Sequence, residues 1–417
     1  MSRTPAPQAP RNTEASGAAP ERVAFHPLVF QPEGDEVTVG RMDAGTFVVL
    51  PSDGAALLRR LVDGESRARA AEWYLVQYGE PVDIDDFVAD LTELGFTRDA
   101  DQAASAPVRV RWARLGRAVF SPVSGVLFAA LIVAWLGVTV RAPVLLPTYH
   151  HLFFTHYMSL VIVTLYLAQT PLILLHEAAH ALAGRRLGLP SRLSVGRRLY
   201  YLVFQTTMDG LVAVPRRKRY LPILAGMLTD AGVLAALTLV AAVLRRPDGT
   251  FPAVATIALA LAYLTMLRLL WQCWFFLQTD VYYLVVTVLG CVDLQTTAKQ
   301  LNRNRWNALR GRPAAHDPRG WHPRDRDAAR WYSVLMAAGY AFSLATLAFA
   351  MIPAAYRLFG TVLGRLFDGR SAGAAELVDS GVFLLLSIGE IGIACALYVR
   401  DRRAARAAAD DVAFPPS

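Results

Sequence analysis

The sequence predicts a mainly α-helical membrane protein, with about six transmembrane helices that follow a small cytosolic α+β domain. Three observations predict it. Several stretches of about twenty residues or more are apolar, Lys and Arg gather at alternate ends of those stretches, and the first hundred or so residues have a soluble texture of their own. The composition agrees, because 54% of the 417 residues are hydrophobic while the net charge is +8. A nucleic-acid-binding protein would be basic too, but it would not carry apolar runs of membrane length. The expected partner is therefore a lipid bilayer and not a nucleic acid.

Residues 1 to 22 contain no aromatic or β-branched aliphatic residue and no apolar core of signal-peptide length, so they read as a disordered tail. From 23 to 100 the short β-type runs "HPLVF", "EVTVGRM" and "TFVVL" precede three helical patterns. Leu57, Leu58 and Leu61 recur at helical spacing before Gly64, and Ile84, Phe87, Val88, Leu91 and Leu94 do so before Gly95. This is a soluble domain near the lower size limit for an independent core. A basic linker is expected at 101 to 118, the transmembrane domain at 119 to 400, and a cytosolic tail at 401 to 417.

The expected spans are Val119 to Val140, Tyr157 to Gly184, Leu221 to Leu244, Phe251 to about Gly290, Trp331 to Pro353 and Leu377 to Val399. If the N-terminus is cytosolic, the inner flanks hold 26 Lys and Arg and the outer flanks 6, a bias that keeps both termini in the cytosol. The fourth segment is too long for one straight crossing, so a bend or break is expected around "LQTD". Cys273, Cys291 and Cys395 lie in apolar segments without metal or disulfide spacing and read as small hydrophobes.

Against this apolar background, "PLILLHEAAHALAG" places His176, Glu177 and His180 inside the second span. Ionisable groups there are expensive unless they are paired, coordinated or facing a wet cavity. One helical turn separates the two histidines, so both project from one face. That arrangement suits two imidazoles on one zinc ion, with Glu177 placed to take a proton from the attacking water. A hydrolytic zinc site needs a third protein ligand. Asp230 in "ILAGMLTDAGVL" and Asp280 in "CWFFLQTDVYYLV" reach similar depths, and depth does not choose between them.

Other polar residues have quieter expectations. Arg268 and Glu390 lie at comparable distances from the outer ends of their spans and are expected to pair. His150, His151 and His156 belong to an interfacial belt, and the basic, Trp-containing tract 302 to 330 belongs at the headgroup surface. In the segment "RLYYLVFQTTMDGLVAVPRRKR" two β-like runs are expected around the turn signal "MDG".

Two resemblances add to this reading. The order of "LPSDGAALLRRLVDGES" and "VDIDDFVADLTELGF" resembles PqqD-like domains, winged-helix-like modules that bind the leader of ribosomally made precursor peptides by adding it to a sheet edge. The set "HEAAHALAGRRLG", "AGMLTDAG" and "TDVYYL" is similar to the site-2 protease family of intramembrane zinc metallopeptidases, and within it to a branch found in bacterial peptide-maturation clusters. That likeness implies zinc ligands at His176, His180 and Asp280 and Glu177 as catalytic base; Asp230 stays as the alternative ligand or a partner of a ligating histidine. Val281 stands where the branch has Gly, and Met227 where it often has Pro.

The expected function is thus zinc-dependent cleavage of a leader from a precursor peptide, at a bacterial cytoplasmic membrane. Two other readings stay open. One is a regulatory protease that cuts a membrane-anchored transcription regulator, and the other a non-proteolytic export scaffold.

Overall fold

The computed structural model describes residues 22–99, 110–199, 201–208, 210–367 and 373–413. These fall into two compact units, one from within 1–109 and 209–215, the other from within 110–208 and 216–417. The expected disordered stretch lies outside the described residues except for Arg22.

The first unit is built on a three-stranded antiparallel sheet of β2 (Val29–Glu33), β3 (Glu36–Arg41) and β4 (Thr46–Pro51), in the order β2-β3-β4. The register sets Val39 opposite Phe30 and Val48, so alternate residues build one apolar face. Gly34 and Gly45 take positive φ in the two hairpin turns. Three helices cover that face: α1 (Ser52–Val62), α2 (Arg67–Tyr78) and α3 (Ile84–Glu93). Their buried residues Leu57, Leu58, Leu61, Val88 and Leu91 are among those the helical spacing picks out. β1 (Ala24–Phe25) pairs antiparallel with β5 (Thr97–Arg98), which ties the ends of this segment together. Asp83 caps α3 by accepting from the amides of Asp85 and Asp86. Between α1 and α2, the Tyr74 hydroxyl donates to the Asp53 carboxylate. That bond holds Asp53 below the usual carboxylate range and, together with burial, pushes the Tyr74 phenol up to about 12.

The second unit is helical, and six of its helical stretches are long and apolar enough to cross a bilayer. They are Pro122–Arg141, Met158–Arg186, Arg216–Leu244, Ala253–Trp271, Pro323–Gly364 and Ala374–Arg400, a set that fits a multi-pass membrane protein. We number the helices α4 (Ala113–Val119), α5 (Pro122–Arg141), α6 (Met158–Arg186), α7 (Arg216–Leu244), α8 (Ala253–Trp271), α9 (Asp280–Leu289) and α10 (Leu294–Leu309). Then follow α11 (Pro323–Thr346), α12 (Ile352–Phe367), which continues it through a π-helical turn at Leu347–Met351, and α13 (Ala374–Ala413). Small residues let these helices approach closely. Ala179 and Ala183 of α6 are buried with Ala225 of α7, and Ala255, Ala258, Ala260 and Ala262 are buried along α8. Thr238 and Thr265 donate to carbonyls four residues back, so their hydroxyls stay satisfied in the interior.

The basic linker at 101 to 118 is partly helical, because α4 begins at Ala113 and Gly116 packs on the Leu182 carbonyl. The tail after 400 continues α13 as helix to Ala413. The fourth apolar segment is broken around "LQTD", where its excess length calls for a break: α8 ends at Trp271, a loop follows, and α9 starts at Asp280, with a further 90° bend between α9 and α10. One expected β-like run changes character. β6 (Ser191–Arg198) pairs with β7 (Tyr201–Met208) around Leu199, whose φ is +58°; within "MDG", Met208 ends β7, Asp209 lies outside the described residues and Gly210 takes φ +85°. The run after Gly210 forms a 3₁₀ turn, Leu211–Ala213, and β7 finds its partner upstream.

Candidate metal centre

His176 and His180 stand one turn apart on α6, and both are buried. Each ring is held at Nδ1. His176 Nδ1 lies 2.9 Å from Asp230 Oδ2, and His180 Nδ1 lies 2.8 Å from the Pro222 carbonyl, both on α7. A carbonyl and a carboxylate only accept, so both Nδ1 atoms carry a proton, and in the neutral rings both Nε2 atoms present lone pairs. Those Nε2 atoms face each other at 3.2 Å.

Asp280 completes a triangle. Its Oδ2 is 3.2 Å from His180 Nε2 and 3.4 Å from His176 Nε2. With both rings neutral, three acceptor atoms converge on one point, an arrangement that repels itself unless a cation lies at its centre. Bonds of about 2.0–2.1 Å to a tetrahedral zinc would set neighbouring ligand atoms about 3.3 Å apart, which is the size of this triangle. Among the described residues, His176, His180 and Asp280 are the grouping of His, Cys, Asp and Glu that could hold a metal ion.

The break before α9 is what delivers Asp280. Gln278 adopts φ +58°, the Thr279 hydroxyl donates 2.7 Å to the Gln272 carbonyl, and the Asp280 amide donates 2.9 Å to Gln272 Oε1. The loop therefore closes on itself and fixes the first residue of α9 in the interior. Of the two acidic candidates, Asp280 faces both Nε2 atoms, while Asp230 lies behind the His176 ring. Glu177 is buried next to His176, and its backbone carbonyl accepts from Thr206 Oγ1 of β7 at 3.1 Å.

Three further residues shape the site and were not identified from sequence. Gly226 of α7 lies against the imidazoles, so a Cβ there would sit 2.3 Å from His180 Nε2 and 2.5 Å from His176 Nε2. The only sequence signal was a glycine inside an apolar helix, where it is otherwise unfavourable. Gln272 is the second. The third is Arg268, whose expected pairing with Glu390 does not form. Arg268 grips Asp230, with Nε 2.7 Å from Oδ2 and Nη2 2.5 Å from Oδ1, while Glu390 accepts from the Tyr166 hydroxyl. Positions measured from span ends gave depth but not azimuth. Arg268 faces α7, whereas Glu390 faces α6.

The histidines 150, 151 and 156 are outside the triangle. His150 and His151 lie in a 3₁₀ turn, where the ring of His151 accepts from the Thr148 amide at 3.0 Å. The three cysteines are free. No protein-family model, curated protein or solved structure matches the chain.

Proposed function

We propose that this chain is an intramembrane zinc metallopeptidase of the site-2 protease type, which removes the leader from a ribosomally made precursor peptide. The observation that carries the reading is the triangle of His176 Nε2, His180 Nε2 and Asp280 Oδ2, sized for one tetrahedral zinc. In this reading His176, His180 and Asp280 hold the metal. Zinc, when bound, supplies an acidified water and a polarised scissile carbonyl.

The remaining work belongs to the chain. Glu177 accepts the proton of the attacking water and later delivers it to the leaving amine. Asp230 and the Pro222 carbonyl hold the two imidazoles in the tautomer that leaves Nε2 available. The β6–β7 hairpin, which β7 brings alongside α6 through the Thr206 contact, offers an edge on which an extended substrate backbone can lie.

The N-terminal unit is read as PqqD-like and as the element that captures the leader. A groove of about 690 Å³ lies in it, lined by Phe30 and Val37 of the sheet, Arg59 and Arg60 of α1, and Trp73 of α2. Arg59 stacks on Phe30 and Arg60 on Trp73, giving apolar pockets whose rim carries both signs, since Asp63 and Glu65 line the same groove and Arg60 pairs with Glu65 at 2.9 Å. The expected location is a bacterial cytoplasmic membrane with both termini in the cytosol.

The test combines purified protein in detergent or nanodiscs with precursor peptides encoded beside its gene, read by mass spectrometry. A cut product should form with zinc and disappear with a chelator or in Glu177→Gln. Equal product from Glu177→Gln would remove the enzymatic claim.

A further inference from the structure

Asp230 is fully buried among apolar helices, yet it is a carboxylate with two oxygens to satisfy. His176 Nδ1 serves one of them. Arg268, near the end of α8, serves both, since Nε donates to the oxygen that also faces His176 and Nη2 donates to the other. A side-on fork of this kind fixes the plane of the carboxylate as well as its position. The plane matters because it aims Oδ2 along the Nδ1–H of His176. A single donor would leave the carboxylate free to turn about its Cβ–Cγ bond and let the imidazole follow it.

We propose that Arg268 is a positioning residue of the metal centre: it acts through Asp230 to hold the His176 ring so that Nε2 points at the site shared with His180 and Asp280. The proposal rests on the metallopeptidase reading. Three elements take part in sequence, with α8 fixing a carboxylate on α7 and that carboxylate fixing a ligand on α6. The alternative is an ion pair that merely fastens α7 to α8. Such a pair would not need the carboxylate oxygen that touches a histidine, and losing it would change stability without changing the metal environment.

The experiment uses the full-length protein in nanodiscs, loaded with zinc or with cobalt(II) as a spectroscopic substitute. Zinc affinity is measured by chelator competition, and the cobalt d–d bands report ligand geometry in the folded fraction. Arg268→Met and Arg268→Lys should each weaken zinc binding about 10–100-fold, the range typical when a partner of a metal-binding histidine is lost, and should shift the cobalt bands. The double variant Arg268→Met with Asp230→Asn keeps an acceptor for His176 and removes the unpaired charge. It should bind zinc more tightly than Arg268→Met alone.

Folded Arg268→Met with wild-type affinity and an unchanged cobalt spectrum would overturn the proposal. So would a double variant that is weaker than Arg268→Met, because Arg268 would then not act through Asp230. If the wild-type protein binds neither metal, the metallopeptidase reading itself fails, an outcome distinct from both.

Discussion

Replacing Gly226 with alanine adds one methyl group at the most constrained point of the site. The new Cβ would lie 2.3 Å from His180 Nε2, 2.5 Å from His176 Nε2 and 2.6 Å from His176 Cε1. Ordinary contacts between such atoms are about 3.5–4.0 Å, so each overlap exceeds about 1 Å. The rings cannot swing aside cheaply, because Asp230 holds one at 2.9 Å and the Pro222 carbonyl holds the other at 2.8 Å. Relieving the overlap means breaking one of those bonds or moving α7 away from α6. Overpacking of this size costs about 1–3 kcal/mol in a close-packed interior. The methyl group also lies against the two Nε2 atoms that would bind the metal. If the protein binds one zinc per chain as proposed, Gly226→Ala should bind near none while still inserting as a folded membrane protein. Elemental analysis of purified protein, with circular dichroism as the folding control, reads both. Stoichiometric zinc in folded Gly226→Ala would refute the placement of α7 against the histidines, and with it the geometry of the centre.

Asp280→Ala should lose zinc as completely as His180→Ala does, whereas Asp230→Asn should retain a measurable fraction; the reverse ranking, read by the same analysis, would exchange the roles of the two carboxylates. Gln272→Leu removes the acceptor of the Asp280 amide and leaves that donor buried, at a cost of about 1–3 kcal/mol, so chelator competition should show weaker zinc retention, with Gln272→Glu closer to wild type. In the N-terminal unit, Asp53 has a lowered folded pKa, so its bond to Tyr74 contributes above the ordinary carboxylate range and is lost as pH falls through the folded value. The loss of protection in α1 and α2 on Tyr74→Phe, measured by hydrogen exchange at matched pH, should be present near neutrality and shrink below about pH 4. A difference that stays constant with pH would remove the ionic part of that bond.

The parts of this molecule that are local in sequence were legible in it. The six long apolar helices, the three covering helices of the first unit and the shared face of His176 and His180 all follow from apolar length or helical period. The break near "LQTD" was legible as excess length, although its function was not, because the bonds from Gln272 that present Asp280 exist only once the loop has closed. What failed was azimuth. Arg268 and Glu390 were expected at one depth, yet they face different helices, and nothing in a single helix says which neighbour it will meet. The second β-like run of that segment failed for a related reason. Local composition favoured a strand after Gly210, but β7 pairs with the upstream strand Ser191–Arg198, and the later run forms a 3₁₀ turn.

The charges around α6 to α9 link the proposed metal to the arginine. Asp230 and Asp280 both contact His176, Glu177 follows it in the chain and is buried, and Arg268 brings one fixed positive charge. Ionised together, these four groups leave an excess of two negative charges where the dielectric is low and uncompensated charge is most expensive. A divalent cation brings that region to neutrality and a monovalent one does not. The same count explains why Asp230 needs Arg268. Without it, the carboxylate behind His176 would compete with Asp280 and Glu177 for the neutralising effect of one metal ion. With it, Asp230 is balanced locally and remains free to orient the ring. A centre built this way should prefer dications over monovalent ions, and removing Arg268 should disturb its geometry before it disturbs the fold.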